Sequence, residues 1–224
     1  MVDARRLFSE QERHQISRWV AEAEGETCAE IVCVVASESG RYDRAEALLG
    51  FGLALLALGL VHGMYQGGSG SWGPAQALPV SWEMATLVVG FVLGNLLGTY
   101  FPQLRRPLVG QKELRQETLR SAHSVFTRRR LASTRQKAGL LLYVSLFERQ
   151  MVVLADEGAL GALGQSGVDE IRDLAQGALR QKKPVKAFEE SIKRAAQLLA
   201  PGLPREADAS NQLPDELVLI HPRP

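Results

Sequence analysis

The sequence predicts an α/β protein: a single domain with a central mixed sheet packed by helices, interrupted by a two-helix transmembrane hairpin. Three observations predict this class. Short apolar, β-branched runs such as Ala29–Ala36 are typical of strands buried on both faces. Amphipathic segments with helix-capping signals flank these runs. Finally, Glu83 is the only charged residue between Ala47 and Leu104, whereas charged residues are frequent in the rest of the chain.

The segment before this apolar window predicts one helix and one strand. Ser9 and Glu12 have the spacing of a capping box, and Ile16 and Val20 follow at helical spacing. The strand is Ala29–Ala36. A helix and a strand alone are too few to bury a core. We therefore expect residues 1–44 to complete one cytoplasmic domain together with residues 105–224.

The segment after the window supplies the remaining elements. A basic helix is expected at Gln111–Leu131, followed by two strands, "GLLLYVSLF" and "QMVVLAD". A tight turn at Glu148 and Arg149 joins these strands, and polar residues are typical of such a turn. Two more helices complete the domain, and their start signals are the Ser166–Asp169 capping pair and Pro184.

The apolar window, residues 45–104, predicts two membrane-spanning helices at about 47–65 and 82–102. Each run is long enough to cross a hydrocarbon core of about 30 Å. Trp82 and Tyr100 lie near the ends of the second run, where aromatic residues favour the lipid interface. The alternative is a pair of helices buried in a soluble core. Two such runs in so short a chain would leave little else to cover them.

The distribution of basic residues predicts the orientation of these helices. No Lys or Arg lies between Gln66 and Glu83, whereas basic residues flank the window on both other sides. Because basic loops stay on the cytoplasmic side, both termini are expected in the cytoplasm. The Gly/Ser/Pro-rich segment between the helices is then expected outside.

Three glycines of the second apolar run, Gly90, Gly94 and Gly98, share one helix face. Such a ridge of small residues lets another helix approach closely in a membrane. Gly59 and Gly63 of the first run offer a partner ridge. The ridge predicts packing within the hairpin, and the alternative is a contact between two copies of the chain.

A basic segment follows the second apolar run and includes Arg105, Arg106, Lys112 and Arg115. Because these residues begin directly after a membrane helix, anionic lipid headgroups are the expected partner. The alternative is that the charges only set the topology. Aromatic interleaving and nucleic-acid-binding motifs are missing from the sequence, so we expect no nucleic-acid partner.

Asp156 and Glu157 follow the second strand of the strand–turn–strand segment, and Gly158 comes next. Carboxylates at a strand end can bind a hard cation such as Ca²⁺ or Mg²⁺, and ligands of open α/β sheets lie at strand ends. The alternative is a solvated strand end with no cation. Cys28 and Cys33 are five residues apart on the predicted strand, so their side chains point to opposite faces and do not share a zinc ion.

Three pieces of the chain resemble the TPM domain family, and more closely its bacterial branch of membrane proteins. They are "FSEQERHQISRWVAEAEGETCAEIVCVV", "FTRRRLASTRQKAGLLLYVSLFERQMVVLADEG" and "NQLPDELVLI". The resemblance implies an α/β domain with helices packed on a central sheet, located at the bacterial inner membrane. For the wider family it also implies calcium binding, and for plant lumenal members it implies acid phosphatase activity.

Sequence motifs for catalysis do not accompany this resemblance. The four histidines are scattered, and H-E-x-x-H, G-x-S-x-G, P-loop and G-x-G-x-x-G motifs are missing. The sequence therefore favours a membrane-anchored binding or scaffolding module with an unidentified protein partner. The alternative is a metal-dependent, phosphatase-type hydrolase with its site near Asp156.

Overall fold

The structure, a computed structural model, describes residues 3–67, 78–129, 131, 137–205 and 213–224. Of the Gly/Ser/Pro-rich segment predicted to lie outside the membrane, Gln66–Pro79, residues 68–77 fall outside the described part. The chain divides into two compact units. We call Arg41–Gln111 the hairpin unit. The sheet unit combines Val2–Gly40 with Lys112–Pro224.

The sheet unit is built on a mixed four-stranded sheet with strand order β3-β2-β1-β4. The strands are β1 (Glu30–Ala36), β2 (Gly139–Ser145), β3 (Gln150–Ala155) and β4 (Val218–Ile220). Strand β1 pairs in parallel with β2 and β4, whereas β3 is antiparallel to β2. The predicted mixed sheet is thus confirmed, and residues from both sides of the apolar window form it.

Eight α-helices lie in the described residues: α1 (Ala4–Leu7), α2 (Glu10–Glu24), α3 (Asp43–Gly67), α4 (Val80–Tyr100), α5 (Pro102–Arg105), α6 (Gln111–Arg128), α7 (Glu157–Arg180) and α8 (Pro184–Leu199). The capping box at Ser9 and Glu12 is confirmed, as is Pro184 in the first turn of α8. Helix α7 begins at Glu157, nine residues before the predicted start at Ser166, and it kinks at Gly164, where φ is 63°. The part of α7 after this kink corresponds to the predicted helix.

Helices cover both faces of the sheet, which explains the continuous apolar run of β1. Ile31, Cys33 and Val35 belong to the larger core, which includes Phe188 of α8. The alternate residues of the strand, Val32 and Val34, lie on the opposite face in a smaller core, which includes Ala122 and Val125 of α6. Because side chains alternate along a strand, a strand buried on both faces must be apolar at successive positions.

Among the described residues, two helices are long and apolar enough to cross a membrane, and both lie in the hairpin unit: Asp43–Tyr65 and Val80–Tyr100. Helix α4 packs on α3 through Gly90, Gly94 and Gly98, which are all buried. A Cβ added at Gly94 would lie 2.6 Å from the Cα of Gly50, closer than real Cβ atoms come. The two backbones therefore approach each other at this glycine.

The predicted partner ridge on the first helix is wrong. A Cβ added at Gly59 or Gly63 would meet no atom of the described residues within 4 Å. The ridge of α4 instead contacts the earlier part of α3, where Gly50 and Ala54 are the closest residues. Pattern alone cannot distinguish these two stretches of α3, because both have small residues four positions apart.

Candidate functional site

The carboxyl ends of β1, β2 and β4 meet at one edge of the sheet, because these three strands are parallel. Open α/β sheets bind their ligands at such an edge. At this edge a buried polar network joins the segment after β1 to the turn after β2. Its members are Ser39, Ser121, Tyr143, Ser145 and Glu148, and all are buried.

Glu148 is at the centre of this network. Its Oε1 accepts hydrogen bonds from the backbone N–H of Ser39 at 2.9 Å and of Gly40 at 3.3 Å. Its Oε2 accepts a hydrogen bond from the hydroxyl of Ser145. The predicted turn at Glu148 and Arg149 is confirmed. Only 2% of Glu148 is exposed, because two backbone donors from the segment after β1 hydrogen-bond its carboxylate in place of water.

A chain of hydroxyl groups extends from this carboxylate into the sheet. The Ser39 hydroxyl donates to Oγ of Ser145 at 2.7 Å, and the Tyr143 hydroxyl lies 2.9 Å from Oγ of Ser39. Burial raises the pKa of Tyr143 to about 12, and the nearby Glu148 charge also raises it. Tyr143 is therefore neutral at physiological pH and acts as a hydrogen-bonding group. Ser121 of α6 donates to the backbone oxygen of Ser39 at 2.8 Å.

A second polar group at this edge contains Ser37, His221 and Asp3. The Ser37 Oγ lies 2.8 Å from Nδ1 of His221, and Asp3 Oδ1 lies 3.5 Å from the same nitrogen. A catalytic triad needs the serine and the carboxylate on different ring nitrogens. The Ser37 Oγ also accepts a hydrogen bond from the Ala4 N–H at 2.9 Å. This geometry positions the chain termini of the sheet unit and does not activate a serine nucleophile.

Asp156 and Glu157 lie at the opposite edge of the sheet. Because β3 is antiparallel to the other strands, its carboxyl end lies where β1 and β2 begin. The strand-end argument for a ligand therefore does not apply to these two residues. Asp156 is the N-cap of α7, and its Oδ1 accepts a hydrogen bond from the Glu157 N–H at 2.7 Å.

A cation at this edge would need the carboxylate oxygens of Asp156 and Glu157 as ligands. Oδ2 of Asp156 is buried, and within the described ranges it has no hydrogen-bond partner. The Glu157 side chain is 80% exposed and pairs with Lys137 at 3.3 Å. Among the described residues, His, Cys, Asp and Glu form no group of three that could hold a metal ion. Two carboxylates alone supply fewer oxygen ligands than calcium or magnesium takes, and cation binding at Asp156 stays a prediction.

The same edge contains an acidic group that the sequence interpretation missed. Glu24 ends α2, is buried, and accepts a hydrogen bond from the Ile31 N–H at 2.9 Å. Burial, together with smaller effects of the nearby Glu30 and Asp215, raises the pKa of Glu24 to about 8. Glu30 Oε2 accepts a hydrogen bond from the Leu213 N–H at 3.1 Å. Glu24 and Glu30 thus hold chain segments together through backbone donors.

The four residues of the predicted basic surface patch have different environments. Arg105 is only 2% exposed, its guanidinium pairs with Glu46, and it lies 5.9 Å from the ring centre of Tyr42. The prediction that Arg105 lies on a basic surface patch is therefore wrong, because the half-buried carboxylate of Glu46 holds it within the hairpin unit. Arg106 is half-buried, whereas Lys112 and Arg115 are exposed on α6. The last two belong to the sheet unit.

Comparisons with known proteins agree with this architecture. A sequence model of the TPM domain matches residues 109–198. The fold is similar to the NMR structure of the BA42 protein from the psychrophilic bacterium Bizionia argentinensis. That match has a TM-score of 0.57 and 15% sequence identity, and it covers 94% of each chain. No curated protein matches the chain in sequence. The predicted resemblance and the α/β fold class are thereby confirmed.

Proposed function

Because a sequence model of the TPM domain matches residues 109–198, we propose that the chain is a membrane-anchored binding or scaffolding module. In this proposal α3 and α4 anchor the chain in a bacterial inner membrane, and both termini are cytoplasmic. The sheet unit then presents its surface to a protein partner at the membrane.

The apolar outer surface of the hairpin unit is the observation that supports the proposed membrane anchor. Only 11% of each candidate span is buried within the chain. Large apolar side chains such as Phe51, Leu56 and Leu93 are 50–59% exposed. A helix pair of this length with an apolar outer surface needs an apolar solvent, and a bilayer supplies it. A buried helix pair of a soluble core would have most of this surface covered.

The hydrogen bonding of Glu148 at the carboxyl edge of the sheet favours a binding role over catalysis. The network around Glu148 uses its acceptors for donors of the chain itself. A catalytic carboxylate instead needs an acceptor or a proton that substrate can reach. Because Glu148 is buried and hydrogen-bonded, its role in this proposal is to hold the segment after β1 in place.

The anchor is tested by extracting membranes of expressing cells with alkaline carbonate. We expect the full chain to remain with the membrane pellet. The variant Leu56→Lys/Leu93→Lys places two charges on the outer surface of the hairpin, and a larger extracted fraction is expected. Leu7→Lys is the matched control, because Leu7 is 43% exposed in the sheet unit. Release of the wild-type chain by carbonate would overturn the anchor.

The orientation is tested with reporter fusions. A periplasm-active reporter inserted among residues 68–77 should be active, whereas the same reporter fused after Pro224 should be inactive. The positive-inside distribution of basic residues predicts this pattern. The reverse pattern would place the sheet unit outside the cytoplasm.

One observation favours the second candidate function, a metal-dependent phosphatase-type hydrolase. Oδ2 of Asp156 is buried without a hydrogen-bond partner in the described part of the chain, and a cation is one way to satisfy it. The test measures the thermal midpoint with and without millimolar Ca²⁺, Mg²⁺ or Mn²⁺, for the wild type and Asp156→Asn. A metal that binds only the folded state raises the midpoint. A rise that the substitution removes, with hydrolysis of a phosphate ester, would replace our proposal.

A further inference from the structure

Helix α6 presents a strip of basic residues on its exposed side. Its inner side, which includes Leu114, Thr118, Ala122 and Val125, is buried. The exposed side carries the residues that we call the basic face: Lys112, Arg115, Leu119, Arg120 and His123. At 100° per residue these five positions span less than half of the helix circumference. The basic face therefore places basic side chains on one surface of the helix, with Leu119 among them.

The carboxylates of α6 do not neutralise this face. Glu113 and Glu117 are half-buried and flank it on one side. Glu117 pairs with Arg120 at 2.8 Å, yet the Arg120 side chain is still 76% exposed. Among the described residues, no ion pair involves Lys112 or Arg115. The basic face is thus available to an anionic partner.

The chain itself limits how far this face can lie from a membrane. Helix α4 ends at Tyr100 and α6 begins at Gln111, eleven residues later. Eleven residues span at most about 40 Å when fully extended. If α4 crosses the bilayer, the first turn of α6 is tethered within that distance of the cytoplasmic headgroups. Such tethering gives the basic face a high effective concentration at the lipid surface.

We propose that the basic face of α6 binds the anionic headgroups of the membrane that anchors the chain. The inference rests on the proposed anchor, and the partner is a lipid surface rather than a free phosphate. Each Lys or Arg near an anionic leaflet favours binding by roughly fivefold. Leu119, which is 45% exposed, adds an apolar contact at the interface, as in other interfacial helices. In this proposal the membrane helices and the basic face of α6 both attach the sheet unit to the membrane.

The test uses the full chain reconstituted in nanodiscs of phosphatidylcholine, with phosphatidylglycerol from zero to 40 mol%. A single label position is made by Gln116→Cys in a Cys28→Ser background, because Gln116 is exposed between Lys112 and Arg120. Cys33 is buried and does not react in the folded chain. An environment-sensitive fluorophore on the introduced thiol reports contact with lipid. The Cys28→Ser chain without Gln116→Cys measures background labelling.

We expect the emission to shift to the blue as phosphatidylglycerol increases, and the shift to weaken at high salt. The triple variant Lys112→Gln/Arg115→Gln/Arg120→Gln should lower the ratio of bound to free α6 by on the order of 100-fold. The matched control is Lys183→Gln/Lys186→Gln/Lys193→Gln, which removes three exposed charges near or on α8. This control should keep the shift.

Three outcomes would overturn the inference: no response to phosphatidylglycerol, an unchanged response in the α6 triple variant, or an equal loss in the α8 control. Addition of a single-stranded oligonucleotide to phosphatidylcholine nanodiscs tests the nucleic-acid alternative, and a saturable shift there would also overturn it. Carbonate extraction distinguishes failure of the anchor from failure of headgroup binding, because carbonate releases a chain that is not anchored in the membrane.

Discussion

The backbone N–H of Ser39 donates to Oε1 of Glu148 at 2.9 Å, and the two residues are 109 positions apart in the chain. The apolar window lies between them in sequence. This hydrogen bond therefore joins the two halves of the sheet unit at the carboxyl edge of β1 and β2. The parallel pairing of those strands, from Glu30 with Gly139 to Ala36 with Ser145, brings the two residues together.

The first prediction concerns this junction. Glu148→Ala removes the acceptor of three hydrogen bonds and leaves the N–H groups of Ser39 and Gly40 buried without it. We expect the free energy of unfolding of the sheet unit to fall by about 2–4 kcal/mol. Glu148→Gln keeps one carbonyl oxygen and should cost less. Hydrogen exchange of the β2–β3 peptide measures the effect locally, because a chain with two units need not unfold in one step.

A surface carboxylate provides the control for this substitution. Glu189→Ala removes an exposed ion pair with Lys193 on α8, which is worth about 0.5 kcal/mol. If Glu148→Ala were no more destabilising than Glu189→Ala, the network would not hold the two halves of the sheet unit together.

The second prediction concerns the close approach of α3 and α4. Gly94→Ala places a Cβ 2.6 Å from the Cα of Gly50 and 2.8 Å from the backbone oxygen of Leu49. Because both atoms belong to backbone, the helices must move apart, at a cost of about 1–3 kcal/mol. Gly59→Ala meets no atom within 4 Å in the part of the chain that the structure describes, and it should change stability by less than about 0.5 kcal/mol. Unfolding of the detergent-solubilised chain by sodium dodecyl sulfate measures both.

An equal effect of the two alanine substitutions would contradict the helix register. A larger effect of Gly59→Ala, together with loss of a dimer in size-exclusion chromatography, would instead indicate that Gly59 contacts a second copy of the chain.

Local signals in the sequence predicted the elements of the fold well. The capping box at Ser9 and the apolar run of β1 each depend on residues close in sequence, so pattern is sufficient to find them. The sequence pattern does not reveal the start of α7, because its N-cap, Asp156, directly follows β3 and the pattern places Asp156 and Glu157 at a strand end. Polar residues that only end a strand and polar residues that also begin the next helix give the same sequence pattern.

The polar contacts could not be predicted because their partners are distant in sequence. Glu148 has the sequence context of an exposed turn, and only the pairing of β1 with β2 places Ser39 beside it. Likewise, Arg105 has the context of a basic surface, and its burial depends on Glu46, 59 positions earlier. A charged residue in a short chain segment reveals its charge but not whether a distant partner removes it from water.

The third prediction concerns the pH dependence of stability. Burial raises the pKa of Glu24 to about 8 in the folded chain, against 4.5 for an ordinary glutamate. Between these values the folded chain keeps a proton that the unfolded chain has lost, so stability falls as pH rises. The expected loss between pH 4.5 and 8 is on the order of 3–5 kcal/mol. Glu24→Gln should flatten this dependence, whereas Glu22→Gln, at an exposed position, should preserve it.

Hydrogen exchange of the β1 peptide from about pH 5 to about pH 8.5, corrected for intrinsic exchange rates, measures this difference. Protection of the wild type should decrease relative to Glu24→Gln as pH rises. Parallel pH profiles for the two chains would show that Glu24 is not the titrating group.

The fourth prediction separates two roles of Asp156. As the N-cap of α7, Asp156 accepts the Glu157 N–H, so Asp156→Ala should lower the free energy of unfolding by about 0.5–2 kcal/mol. Asp156→Ser keeps a capping oxygen and removes Oδ2, which is buried without a hydrogen-bond partner within the described ranges. We therefore expect Asp156→Ser to remain within about 0.5 kcal/mol of the wild type in the presence of a chelator. Thermal midpoints in EDTA measure this order. If serine were as destabilising as alanine, the carboxylate would contribute more than a helix cap, and a role for both of its oxygens would have to be sought.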